Sequence, residues 1–276
     1  MSKSEQQSHL QSNPFSDRMS GSGRYNGKNL DSRYPKGSEM HDFHQQAHDY
    51  FQNLVLAPDF ACRAGQGAVR GAKYAFNAYP DMTSPHVAEG VAHDLLKFNH
   101  EFGLSDKTKD TISLSSFVTT FKEPKSVNHI DATAHMYQLL GNMHKQDEQK
   151  GFEWSESVSK DIYSPDFGFS SGEEPYFITY LHPHAKHASR RSEVPLVLFT
   201  SHNLLSQMKD TGSFEKFKTH ARNRQDTVHP QSGDHGKIPE FPQYALLDSD
   251  PATQENHEKI IYENLGQCPF GYGKKD

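Results

Sequence analysis

The sequence predicts an α+β fold: a mainly antiparallel sheet flanked by helices, in a single domain. Three observations carry that expectation. Short β-branched and aromatic runs stand at 111–121, 167–170, 176–181 and 194–200, and the last three follow one another with no helix between them. Neighbours of that kind suit hairpins, whereas a doubly wound parallel sheet alternates strand and helix. Segments with apolar residues at helical spacing surround the runs. The 276 residues suit one large domain or two small ones.

Residues 1–37 are rich in Ser, Gly, Asn and Gln and poor in aliphatic side chains. They bury too little surface to offset ordering entropy, so they read as a flexible polar arm, with Phe15 and Tyr34 as points where it can drape over the domain at 38–276. Phe43, Ala47, Phe51, Leu54 and Val55 place an amphipathic helix over 39–56, ended by Pro58. The Ala/Gly-rich piece 64–77 reads as a second, closely packing helix. Ser84 as N-cap and Pro85 in the first turn start a third, which runs through Val87, Val91, Leu95 and Phe98 to Phe102.

The 111–121 run, TISLSSFVTTF, reads as a strand, and 127–144 as a helix with Ile130, Ala134, Tyr137, Leu140 and His144 near one face. A loop-rich section, 145–166, holds the only tryptophan, Trp154. FGFSSGEEPYFITYLHP then reads as strand, turn, strand, and VPLVLFTSH as the clearest buried strand. Helices are expected over 203–210, 213–224 and 252–265, the last capped by Gly266, with irregular chain over 228–250. No internal repeat is present.

A net charge of −6 argues against a general nucleic-acid binder. Two distant cysteines, Cys62 and Cys268, do not make a secreted disulfide framework. No run of about 18 apolar residues offers a membrane span, and no secretory signal is visible. The expectation is a soluble, cytoplasmic protein with no nucleic-acid or membrane partner. The motifs G-x-S-x-G, P-loop, CxxC and HExxH are absent, and GQGAVRG (65–71) follows no strand, so its glycines read as close-packing positions.

The 18 histidines raise the prior for metal or haem, although His9, His41, His44, His48, His220 and His235 lie in polar or helical surface contexts. His182 and His184, two apart, would share a side of an extended chain and could share a metal. Alternatively a single histidine at the strand end serves as axial ligand or acid/base group, with Arg190 and Arg191 pairing carboxylates. His202 stands just past the buried strand, where a rigid element delivers a side chain; it equally suits a bond to the next helix. His129 and His144 are too far apart along one helix to share a metal. Cys268 in GQCPFGYG suits either a thiolate ligand to haem iron or a small buried residue anchoring the tail.

Taken in order, Cys62 in DFACRAGQGA, SFVTTFKEP (116–124), MHKQD (143–147), FGFSSGEEPYFITYLHPHAKHASRR (167–191), VPLVLFTSHNLLSQMKDTGSFEKFK (194–218), ARNRQD (221–226) and CPFG (268–271) resemble the YqcI/YcgG family. The resemblance covers roughly residues 50–272. It implies a haem-dependent oxygenase that uses haem b and O2 as co-substrate to oxidise a nitrogen of an amine or guanidine. An external electron donor would be required, and a homodimer is admitted. By the same resemblance His202 and His182, then Cys268, are the candidates for the iron, with Arg190 and Arg191 beside the cofactor. His182, His144 and Asp147 are candidate catalytic groups, and Asp147 or Glu173–Glu174 an anchor for a cationic substrate. Where the family often has Asn-Pro-His, this chain reads Thr200–Ser201–His202. A non-catalytic haem carrier or sensor, and a non-haem metal enzyme using the 182–187 histidines, are the rival expectations.

Overall fold

The computed structural model describes residues 23, 25–60, 62–102, 115–126, 128–162, 164–203, 240–245 and 268–270, with isolated positions between 206 and 265. The helices expected over 203–210, 213–224 and 252–265 therefore lie largely outside the described residues, as does Phe15.

Five strands form one sheet: β1 (Tyr74–Asp81), β2 (Ser116–Glu123), β3 (Phe169–Ser171), β4 (Glu174–Leu181) and β5 (Leu196–Ser201), in the order β1-β2-β5-β4-β3. The β1–β2 pair is parallel and the other three pairs are antiparallel. The fold is thus the expected α+β type. Its one parallel pair needs a crossover, and helix α3 (Pro85–Phe102) supplies it. Helices α1 (Glu39–Leu56) and α2 (Arg63–Arg70) precede the sheet; α4 (His129–Gln149) follows β2, and a short α5 spans Glu240–Gln243.

Alternation along the strands divides two cores. Phe117 and Phe121 of β2 join Val197 and Phe199 of β5 and Ile178 and Tyr180 of β4 on the face covered by α3 and α4. Phe76, Val118, Leu196 and Leu181 make the other face with Ala47, Phe51 and Val55 of α1. Between β3 and β4, Gly172 (φ 58°) and Glu173 (φ 67°) both adopt left-handed conformations. Such a two-residue turn matches the twist of the strands it joins. Local capping sets the helix starts: Ser38 accepts from His41 N at 3.2 Å, and Asn128 from Asp131 N at 2.9 Å.

The structure differs from expectation in three places. The helix read over 64–77 ends at Arg70, and β1 follows it; β1 is an edge strand, which tolerates its Pro80. His44 and His48 are core residues rather than surface ones, because they share the α1 face of Ala47 and Phe51. Their rings bond Phe76 O (2.8 Å) and Tyr74 Oη (2.8 Å), and burial pushes both to about 4. The second half of the polar arm lies along β1 as a strap. Gly23 exchanges bonds with Phe76 N (3.2 Å) and the Asn77 side chain (2.6 Å), and Tyr34 Oη donates to Ala78 O at 2.7 Å.

Candidate functional site

The β4–β5 pair has two ends, and the sequence-nominated histidines divide between them. Pairing runs from Leu181↔Leu196 to Tyr176↔Ser201, so His182 and His202 stand at opposite ends, roughly 24 Å apart along the strands at about 3.4 Å per residue. One metal or one cofactor face cannot take both.

At the first end His182 is fully buried. Its ring stacks on Tyr180 (4.8 Å) and on His129 (5.2 Å), and its Nε2 faces His129 Nδ1 at 3.2 Å. Burial, then the neighbouring His129 and His184, pushes it down to about 3, so it stays neutral. Its Nδ1 has no hydrogen-bond partner. The expected His182–His184 pair does not form. The chain turns at once, Ala185 N donating to His182 O at 3.2 Å, which sends the exposed His184 to Ser126 O at 2.8 Å. His187 caps Ser189 N instead. Arg191 spends its guanidinium on Ala185 O (2.9 Å) and Lys186 O (3.0 Å), holding this loop closed. Arg190 is drawn inward beside Cys62; burial lowers it to about 10, and its Nε has no partner. Among the described residues no group of three His, Cys, Asp or Glu side chains is arranged to hold a metal ion.

At the second end the strand β5 delivers His202 against Gly168. A Cβ at Gly168 would stand 2.9 Å from the imidazole Cε1, so the ring needs that glycine. His202 Nε2 donates to Glu240 Oε1 at 3.0 Å, and Tyr244 Oη donates to the same oxygen at 2.8 Å. A carboxylate acceptor places the proton on Nε2 and leaves the Nδ1 lone pair open. His202 is only partly buried.

His144, Asp147 and Cys268 gather around the same Phe167–Phe169 segment. His144 meets Trp154 edge to face at 5.1 Å, and Trp154 lies 6.1 Å from Phe167, 6.0 Å from Phe169 and 5.7 Å from Phe270. The Trp154 Nε1 has no hydrogen-bond partner. Cys268–Phe270 crosses α4 at Gly141, where a Cβ would stand 2.8 Å from Pro269 Cβ. His144 Nε2 faces Glu148 Oε1 at 3.1 Å; burial first, then Lys160, holds it down at about 4. Asp147 is buried, and desolvation pushes it up to about 7 against the bonds it accepts from Ser171 and from Gly172 N at 3.1 Å. His144 and Asp147, a neutral imidazole and a carboxyl poised near neutrality, thus stand one turn apart on α4 beside the aromatic cluster, and His202 meets the Phe167–Phe169 segment separately, at Gly168. Of the residues nominated from sequence, His144, Asp147 and Cys268 pack on the α4 side of this segment and His202 touches it at Gly168, whereas His182, Arg190 and Arg191 stand at the other end of the β4–β5 pair.

The family model for the YqcI/YcgG family matches residues 51–256. The chain belongs to the YqcI/YcgG family. No curated protein and no solved structure matches it. The matched span of the family holds both ends of the β4–β5 pair and Glu240, and it stops short of Cys268.

Two members of the site were not legible in the sequence. Glu240 and Tyr244 lie in a Pro/Gly/Asp-rich stretch with no periodicity. The only available signal was EFPQY itself, a carboxylate and two aromatics inside a polar run.

Proposed function

We propose that this chain is a haem-dependent oxygenase that oxidises a nitrogen of a small amine or guanidine with O2, using electrons from an external donor. The observation that carries the reading is His202, held through Nε2 by Glu240 at the partly exposed end of β5, with no described residue bonded to its other ring nitrogen. That donor set would suit a ligand to haem iron, because imidazoles bound to metals are commonly oriented by a carboxylate on the second nitrogen. His202 would hold the iron, with the buried Cys268 as the other candidate. Haem, when bound there, supplies the activation of O2.

The chain's own residues do the rest. Trp154, Phe167, Phe169 and Phe270 exclude water. Asp147, sitting near 7, holds a proton that it releases at neutral pH, and when ionised it attracts a cationic amine. His144 stays neutral over the working range, so it serves as a hydrogen-bonding group rather than as a proton carrier. Arg190 and Arg191, at the far end of the β4–β5 pair, would not reach a haem on His202, so the propionates need other partners.

The test is an absorption spectrum of the haem-reconstituted protein with iron and porphyrin quantified. The expected result is one haem per chain with a Soret band that His202→Ala abolishes or shifts and His182→Ala retains. Failure to bind haem, or an unchanged spectrum in both His202→Ala and Cys268→Ser, would overturn it. Haem binding without O2 consumption on any amine or guanidine tested would instead mark a carrier or sensor.

No helix among the described residues is long and apolar enough to cross a membrane. A cytoplasmic location is proposed from the charge and cysteine usage of the sequence.

A further inference from the structure

The opposite edge of the sheet holds a concavity, independent of the haem reading. It lies between the strap, β1 and the C-terminal half of α3, with a volume of about 230 Å³. From β1 to β3 the sheet spans four strand spacings, so it stands roughly 19 Å across the sheet from the β3 edge, at about 4.8 Å per spacing. Phe98, Phe102 and Phe117 give it apolar walls.

Its charges are mixed, and three polar groups are left open. Lys97 is engaged with Glu101 at 3.8 Å. Asp94 is engaged by Tyr79 Oη at 2.9 Å and His93 Nδ1 at 3.4 Å. Asp31 and Arg33 both line the cavity, yet they form no hydrogen bond or ion pair with each other or with any described residue. Asn77 is 1% exposed. Its Oδ1 is fixed as the acceptor by Gly23 N at 2.6 Å, which orients the amide and leaves Nδ2 as a donor with no partner. An amide donor that faces the cavity, next to the Arg33 cation on the same lining, suits an anionic group arriving between them. The open Asp31 carboxylate beside them supplies the complement for a positive charge.

We propose that this cavity binds a small dipolar ion. The ligand's carboxylate would meet Arg33 and Asn77 Nδ2, and its ammonium Asp31. The strap supplies both charged contacts and the β1 edge supplies the amide, so the strap is a built wall of the site rather than a tether. Gly23 is what lets the strap lie this close: a Cβ there would stand 2.7 Å from Phe76 O and 2.8 Å from Asp31 O.

The experiment is isothermal titration of the full chain with glycine, L-serine, L-glutamate and L-lysine, with acetate and methylamine as single-charge controls. At least one amino acid binds, and neither control does at the same concentration. Arg33→Gln and Asp31→Asn, both at exposed positions, each weaken that binding at least tenfold. His202→Ala leaves it within twofold. The proposal is overturned if no amino acid binds, if the two strap variants bind as well as the wild type, or if His202→Ala abolishes binding. The last result would move the ligand to the other edge of the sheet. The Soret band reads the haem proposal separately, so either can fail without the other.

Discussion

His182 and His202 flank the same pair of strands, and they have been put to opposite uses. His182 is fully buried, stacked between Tyr180 and His129, and faces a second imidazole that holds no fixed charge. His202 is partly buried, lies over a glycine and faces a carboxylate. Residue type and position relative to a strand are the same in both. Partner and solvent access differ, and these decide whether an imidazole is a core ring or a reactive one. A histidine at a strand end is the stronger candidate for a functional group when a carboxylate orients it and solvent reaches it.

Replacing each ring with alanine breaks the comparison most strongly. His182→Ala opens a cavity between Tyr180 and His129 and removes one side of a buried contact. It should cost about 3 kcal/mol of stability. His202→Ala removes a ring near the surface, and Tyr244 still donates to Glu240; its cost should stay below about 1 kcal/mol. Urea unfolding of both variants at one pH measures the difference. Equal losses would mean that the His202 end is as much a part of the core as the His182 end.

Acid sharpens the contrast. His182 sits at about 3 in the folded chain against an ordinary 6.5, so below 6.5 the unfolded chain binds a proton that the folded chain refuses. Its contribution to stability is therefore full above pH 6.5 and falls as pH drops toward 3, at up to about 1.4 kcal/mol per pH unit. His44, His48 and His144, each near 4, add slopes of the same sign. A series of unfolding curves between pH 7 and 4 should show the wild type losing stability more steeply than His182→Phe, which keeps a ring in place. Parallel curves would show that His182 is not held neutral.

The sheet and its site were legible in the sequence to different degrees. The β3–β4 turn and β5 could be read because alternation and a continuous apolar run are local signals. β1 was not, since YAFNAYPD follows an Ala/Gly-rich helix and contains a proline that only an edge strand accepts. His144, Asp147, Cys268 and His202 were named from motifs; packing places the first three on the α4 side of the Phe167–Phe169 segment and leaves His202 at Gly168, against Glu240. Their partners were hidden because each is set by long-range contact. His129 meets His182 across 53 residues, and Glu240 meets His202 across 38. The pairing of His182 with His184 failed for a local reason: the i, i+2 rule holds only in an extended chain, and the backbone turns at His182.

A methyl group tests how tightly His202 is positioned. Gly168→Ala would place Cβ 2.9 Å from both the imidazole and Val158 Cγ1. The imidazole has a partly open side to move into, so the stability cost should be about 1–2 kcal/mol. The larger expected effect is on the site: the ring leaves Glu240 and, where His202 holds haem as proposed, haem occupancy falls while the fold persists. Circular dichroism and the Soret band, measured on the same sample, separate the two. If haem binding survives at wild-type level, the orientation set by Glu240 is not what His202 contributes.

The smallest effect has the opposite pH sign and belongs to the same end of the sheet. Asp147 sits at about 7 when folded against an ordinary 3.8, because burial penalises its charge more than Ser171 and Gly172 N favour it. Between pH 3.8 and 7 the folded chain holds a proton that the unfolded chain has released, so this group's contribution weakens as pH rises through that window and is lowest above 7. Asp147→Asn keeps an oxygen to accept from Gly172 N and removes the buried charge. It should raise stability at pH 8 by about 1 kcal/mol, the size of gain typical when a strained polar site is relieved. At pH 4, where the carboxyl is already neutral when folded, the gain should vanish. Its retention at pH 4 would assign the effect to packing rather than charge. A chain that keeps an aspartate here accepts lower stability at neutral pH for a proton it can exchange, whereas at the His182 end it accepts acid sensitivity for a core that never takes up charge.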